Sequence, residues 1–209
     1  NPTGGDLDAE QWKALAADVE GRRLIPLLDF AYQGLGQGLE ADAQGLRAVL
    51  NHVGEALIAY SCNKNFALYR ERTGVLFAMG SSASAADTVY SNMLSLARGN
   101  WSMPPDHGAA VVRTILESTD LTQAWRSELD GMRARIVGNR SKLAAADERF
   151  APLAQQRGMF STLPIDADAV ARLKTEHGIY MAGSGRINVA GFREDDIDIF
   201  VRALRGVGL

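Results

Sequence analysis

Lys64 follows the apolar stretch Ala56-Leu57-Ile58-Ala59-Tyr60, within the run Ser61-Cys62-Asn63-Lys64-Asn65-Phe66-Ala67-Leu68-Tyr69-Arg70-Glu71-Arg72. An apolar run of that length reads as a buried strand. A lysine at its end is well placed to lose water and lower its pKa, which favours the neutral amine that condenses with a carbonyl. Eight residues on, Arg72 is a fixed cation suited to a phosphate. An amine for an aldehyde and a cation for a phosphate together describe a site for pyridoxal phosphate. The pair alone is a weak signal, because strand-end lysines are usually solvated. Asp29 closes a second apolar run, Leu24-Ile25-Pro26-Leu27-Leu28, and Tyr32 lies three residues further on. In open α/β sheets ligands gather outside the carboxyl ends of strands, so Asp29 and Lys64 could face one crevice. There an aspartate could pair with a protonated pyridine nitrogen, and a tyrosine could donate to a phenolate oxygen. Taken singly, Asp29 also reads as a turn or cap acid and Tyr32 as a packed aromatic.

The elements that must position these residues follow from patterning. Asp8 can cap a helix to Glu20, with Gln11 three positions on and Trp12, Leu15 and Val19 on one face. Strands are predicted over Leu24–Asp29, Ala56–Tyr60 and Gly74–Met79, with a Gly-rich loop through Gly34, Gly36 and Gly38 and a helix from Ala41 to Val53 between the first two. Strands alternating with helices imply an α/β layer with a mainly parallel sheet. Helices are then predicted over Ser84–Ala97 and from Pro105 to Leu116. A long one from Leu121 to Glu148 carries Trp125, Leu129, Met132, Ile136 and Leu143, a length that suits a strut between domains. The remainder reads as a small α+β unit. It has strands at Met159–Ser161, Ile179–Met181 and Ile187–Val189, and helices at Asp166–Glu176 and Glu194–Leu204. Two domains are predicted, 1–120 and 121–209.

Bulk properties exclude several classes. The 209 residues are 46% hydrophobic and 22% charged with net charge −3, which is ordinary globular composition and argues against a nucleic-acid surface. Cys62 is the single cysteine. Intramolecular disulfides are therefore impossible, and a reducing compartment, the cytoplasm, is the default. No apolar run approaches membrane-spanning length. His52, His107 and His177 lack metal-ligand spacing. Gly34-Leu35-Gly36-Gln37-Gly38 is not a dinucleotide fingerprint, and Cys62 reads as packing.

Several segments occur in order along the chain: Asn1-Pro2-Thr3-Gly4, Asp29-Phe30-Ala31-Tyr32-Gln33-Gly34, Ser61-Cys62-Asn63-Lys64-Asn65-Phe66, Glu71-Arg72 and Ser184-Gly185-Arg186-Ile187-Asn188-Val189-Ala190-Gly191. Together they resemble the signature segments of the aspartate and aromatic amino-acid aminotransferases, pyridoxal-phosphate enzymes of fold type I. The resemblance implies the later part of a large, mainly parallel-sheet domain followed by a small substrate-clamping domain. It implies that Lys64 holds pyridoxal 5′-phosphate as a Schiff base and then shuttles a proton at the substrate Cα. Asp29 would pair the pyridine nitrogen, Asn1 and Tyr32 would hydrogen-bond the ring oxygen, and Ser61 and Arg72 would hold the phosphate. Arg186 would clamp the substrate α-carboxylate, with Asn1 close to the same substrate. Arg98, in Arg98-Gly99-Asn100-Trp101-Ser102-Met103-Pro104-Pro105, resembles a second substrate arginine that reaches the neighbouring subunit's site and binds a distal carboxylate.

The resemblance thus implies a homodimer with shared sites that moves an amino group from an aromatic or acidic amino acid to 2-oxoglutarate or a similar keto acid. Asn63 departs from a usual serine. Met103 departs from asparagine or serine, and a larger apolar side chain there favours an aromatic substrate. A phosphate-binding loop, a ring-stacking aromatic and a crossing tyrosine are expected ahead of Asn1, so a missing N-terminal half of the same protein is the implied partner. The alternatives are a strict aspartate aminotransferase, a pyridoxal-phosphate enzyme of the same fold with lyase or decarboxylase chemistry and, from another class, an aminotransferase-like effector domain of a transcription regulator. A basic helix-turn-helix ahead of Asn1 would distinguish the last.

Overall fold

The computed structural model describes residues 3–193 and 195–208. They form two compact units that divide within one helix, between Leu129 and Asp130, and the opening residues up to Asp6 join the C-terminal unit.

The first unit, Leu7–Leu129, opens with α1 (Ala9–Gly21). Asp8 caps it: its carboxylate accepts the Gln11 N–H at 2.8 Å, and the Gln11 side chain accepts the Asp8 N–H at 2.9 Å. This reciprocal pair satisfies two amides that the first turn leaves without partners. β1 (Leu27–Phe30) begins only after Pro26, which has no N–H for a ladder; its carbonyl accepts from Leu57 at 2.9 Å. The helix predicted over Ala41–Val53 is two pieces, α2 (Leu39–Asp42) and α3 (Gln44–Leu50). The Asp42 carboxylate turns back to accept amides of Gly34, Gly36 and Gln37 at 2.8, 3.0 and 2.6 Å. A short acidic side chain that serves a loop competes with continuation of the helix. On α3, Gly45 lets the Trp12 ring of α1 approach so closely that a Cβ would lie 2.3 Å from it.

β2 (Ala56–Ser61) is the central strand, parallel to β1 and antiparallel to β3 (Gly74–Met79). The predicted mainly parallel arrangement therefore holds for one pair and fails for the other. The 62–73 connection contains no crossover helix and returns as a hairpin, which forces the antiparallel sense. Val75, Leu76 and Phe77 of β3 are all exposed, on both faces of the strand. α4 (Ala83–Trp101) is capped by Ser82 and runs four residues beyond its predicted end, stopping where Ser102 takes φ +62°. α5 (His107–Glu117) begins two residues after Pro105. α6 (Thr119–Ala146) is the long helix, 28 residues.

The second unit gathers a buried core from the end of α6, a 3-10 segment Glu148–Ala154, β4 (Phe160–Thr162), α7 (Ala167–His177), β5 (Arg186–Asn188) and α8 (Asp196–Gly206). On α8, Ile197, Phe200, Val201 and Leu204 recur at helical spacing and are all buried. Each contributes about 1.5–3 kcal/mol by leaving water. β4 and β5 pair antiparallel, Ser161 opposite Ile187 and Thr162 opposite Arg186. The strand predicted at Ile179–Met181 is irregular instead. α7 ends at Gly178 in a left-handed conformation, and the Ile179 amide is drawn to the Leu173 carbonyl at 3.0 Å, closing the helix rather than opening a strand. Among the described residues, no helix is long and apolar enough to cross a membrane.

Candidate active site

The first unit sets five of the singled-out side chains along one edge of the three-stranded sheet. β1 and β2 run parallel with Asp29 opposite Ala59, so the loop after Phe30 and the loop after Ser61 leave from the same end. Tyr32 lies in the first loop and Lys64 in the second. Lys64 Nζ stands 5.1 Å from the centre of the Tyr32 ring. Lys64 and Tyr32 are half-buried, while Asp29 is exposed at its position near the end of β1. Ser61, the last residue of β2, pairs with Gly74, and the Cys62 amide bonds the Thr73 carbonyl at 3.0 Å. That hairpin brings Arg72 to the same end. Arg72 adopts φ +53°, donates to the Tyr69 carbonyl at 2.9 Å and stacks on the Tyr69 ring at 5.3 Å. The Ser61 hydroxyl accepts the Asn63 amide at 3.2 Å.

The segment that carries Lys64 is held from two sides. Asn65 is fully buried; its side-chain amide donates to Tyr60 Oη at 2.8 Å, and its carbonyl accepts Trp125 Nε1 at 2.7 Å. Phe66 stacks on the Trp125 ring with centroids 4.4 Å apart and planes 8° from parallel. Burial and the Cys62 side chain raise the Tyr60 pKa, partly offset by the Asn65 bond, and burial raises that of Cys62. Both groups are therefore neutral near pH 7. The sequence places Trp125 on the apolar face of a helix but gives no sign of its partner. The only hint is the residue type, an indole whose N–H needs an acceptor when buried.

An amine, a phenol, a carboxylate, a hydroxyl and a guanidinium at one sheet edge fit the donor and acceptor needs of a phosphorylated pyridine aldehyde. Asn63, the residue before Lys64, is 8% exposed, and its side-chain oxygen has no hydrogen-bond partner among the described residues. Among the described residues no cluster of His, Cys, Asp and Glu could hold a metal ion.

Arg98 and Arg186 stand outside that edge. Arg98 is exposed in the last turn of α4 and makes no ion pair among the described residues; Met103 beyond it is 77% exposed. Arg186 belongs to the second unit. It lies on the outward face of the β4–β5 ribbon, its guanidinium 5.0 Å from the centre of the Phe160 ring. A cleft of about 570 Å³ opens beside it, lined by Phe160, Ile179, Met181, Phe192 and Phe200 among others. A cation at the rim of an apolar, aromatic-lined cleft suits a ligand with a carboxylate and a ring or long apolar chain. The cleft is not legible in the sequence because its lining comes from five separated segments between Phe160 and Phe200. Asn1 lies outside the described residues.

A three-stranded sheet with one parallel and one antiparallel pair, its accompanying helices and a separate α+β unit, with a lysine beyond a strand end, match part of a fold type I architecture. The family model for aminotransferase class I and II matches residues 1–204, and the chain belongs to that family. It is 54% identical over 197 residues to a tyrosine aminotransferase of Rhizobium meliloti, covering 92% of this chain and 51% of that protein. It is 41% identical to an aspartate aminotransferase of Salmonella typhi, covering 99% and 54%. Among solved structures, an aromatic amino acid aminotransferase with 3-indolepropionic acid superposes with a TM-score of 0.96 at 42% identity, covering 100% of this chain and 55% of that one. An aromatic-amino-acid aminotransferase from Burkholderia pseudomallei covalently bound to pyridoxal phosphate superposes at 0.94 and 38% identity, covering 99% and 53%. The chain spans about half the length of the relatives it matches.

Proposed function

We propose that this chain is part of a pyridoxal-phosphate-dependent aminotransferase that exchanges an amino group between an aromatic or acidic amino acid and a keto acid such as 2-oxoglutarate. The observation that carries the reading is the convergence of Lys64, Tyr32, Asp29, Ser61 and Arg72 at one end of a parallel strand pair. The names and structures of the relatives support it. The cofactor, when bound, supplies an electron sink for negative charge at the substrate Cα. Lys64 would hold the cofactor through its Nζ and, as a free amine, would carry the proton to and from the substrate Cα. The Asp29 carboxylate would pair the pyridine nitrogen. Tyr32 Oη, together with Asn1, would hydrogen-bond the ring oxygen. The Ser61 hydroxyl and the Arg72 guanidinium would hold the phosphate. Arg186 binds the substrate α-carboxylate bidentately, and the apolar cleft beside it favours an aromatic donor.

Arg98 serves the neighbouring site of a homodimer, where it meets a second carboxylate when the donor is aspartate or glutamate. A further segment of the same protein completes the phosphate loop and covers the exposed faces of β3. We place the enzyme in the cytoplasm. The domains are proposed as 1–120, belonging to the cofactor-binding domain, and 121–209, belonging to the connecting helix and clamping domain.

The test uses the full-length protein loaded with pyridoxal phosphate, with no keto acid present. Loss of the cofactor's visible band on adding aspartate, and separately tyrosine or phenylalanine, is expected with both donors. Response to aspartate alone would make the enzyme a strict aspartate aminotransferase, with Arg98 as the selector. Silence with every donor would overturn the proposal. Lys64→Ala is expected to abolish turnover, and near-wild-type activity in that variant would sink the assigned role.

A further inference from the structure

Arg140, in the second half of α6, is 2% exposed, yet no carboxylate pairs with it among the described residues. Burying a guanidinium without an anion is costly, and here desolvation pulls its pKa down. Neutral acceptors compensate instead. Nη1 donates to Ser161 Oγ at 2.7 Å, and Nη2 donates to the carbonyls of Gly158, Phe160 and Arg157 at 2.7, 2.9 and 3.1 Å. Gln156 Oε1 lies 3.5 Å from Nη1 and accepts a hydrogen bond from the Ser161 hydroxyl at 2.6 Å, while Nε has no partner among the described residues. The planar fork thus gathers the whole 156–161 segment around one cation, which a lysine's point charge could not reproduce.

Two sequence motifs converge on this cage. Phe160, whose carbonyl Arg140 holds, presents its ring to the Arg186 guanidinium, and the next residues pair with Ile187 and Arg186 across the ribbon. On the other side, the Gly4 carbonyl accepts the Arg157 amide at 2.7 Å. Gly4 has φ +72°, and a Cβ there would stand 2.6 Å from the Phe160 oxygen, 2.8 Å from the Arg157 oxygen and 3.0 Å from Arg140 Nη2. Only glycine fits against the carbonyls that Arg140 collects.

We propose that Arg140 is a positioning residue for substrate: its hydrogen-bonded cage fixes Phe160, and through Phe160 the guanidinium of Arg186 that receives the carboxylate. The proposal rests on the reading of Arg186 as that clamp. Arg140 itself touches no substrate. It acts by limiting where a second arginine can lie, and displacements on the ångström scale at a binding group carry large effects.

The test is the dissociation constant of 3-phenylpropionate, a carboxylate with a ring and no reacting group, measured by calorimetry on the full-length, cofactor-loaded protein. Arg140→Lys is expected to weaken binding about tenfold, and Ser161→Ala, which removes one bond of the cage, about threefold. In an Arg186→Lys background, Arg140→Lys should add less than about twofold, because both act through one group. A purely structural arginine would lower the unfolding midpoint while leaving the dissociation constant unchanged and additive. If Arg186→Lys weakens binding but Ser161→Ala and any soluble Arg140→Lys do not, the positioning role is overturned and the clamp stands. If Arg186→Lys leaves affinity unchanged, the clamp reading fails and the proposal falls with it. Should Arg140→Lys not fold, the Ser161→Ala result decides.

Discussion

At the scale of single residues, the site is a set of ordinary side chains given unusual neighbours. Lys64, Asp29 and Tyr32 stand out in the sequence because their types and spacing match both a chemistry and a family signature, and β1 and β2 bring them to one end of the sheet. What holds them does not stand out. The Trp125 indole is 60 residues from the Asn65 carbonyl it meets, and no local pattern links the two. Trp125→Phe keeps a ring against Phe66 but leaves a buried carbonyl without its donor. The expected cost is about 1–3 kcal/mol, read as a lower urea midpoint with an unchanged slope. An unchanged midpoint would mean that water or another donor replaces the indole. Arg140 was hidden for another reason: its acceptors are mostly backbone oxygens, which have no signature in side-chain composition.

At the scale of elements, the helices were read well wherever a cap or an apolar stripe announces them. α1 starts where Asp8 and Gln11 place it, and Asp8→Ala should cost about 1 kcal/mol of stability in a denaturant titration. A loss within error would show that water serves the first-turn amides equally well. The α1–α3 contact is tighter than its sequence suggests. Gly45→Ala should destabilise by about 1–3 kcal/mol through overpacking against Trp12, and a neutral result would mean that the helices can part. The misreadings share one cause. Pro26, the Asp42 carboxylate and the cap at Gly178 each divert backbone hydrogen bonds, and periodicity counts side chains rather than amides. The sense of β3 was missed for a related reason: the length of the 62–73 link allows a crossover, and only its fold shows a hairpin.

At the scale of the whole molecule, stability has an acid-sensitive joint where α6 ends. Asp147 accepts from Arg149 Nε and Nη2 at 2.8 and 2.9 Å and lies 3.7 Å from Arg205 of α8. The hydrogen bonds from Arg149 hold its carboxyl far below the ordinary value of 3.8, with Arg205 adding a smaller pull. A carboxylate with a depressed pKa contributes stability that is complete above its unfolded value and fades as pH falls below it. Asp147→Asn should therefore lower the thermal midpoint at pH 7, and the gap to wild type should narrow below about pH 4. A gap that persists undiminished at pH 2 would show that the contribution is not electrostatic. Arg140, by contrast, gathers neutral acceptors, and its cage should hold across the same range. The 2.7 Å bond from Arg157 to Gly4 has one more consequence, which concerns the order of synthesis. The turn at Gly4 leaves the ribosome long before the 156–161 segment it docks on. The C-terminal unit can therefore seal only after the whole first unit has emerged, making its closure a late, long-range step.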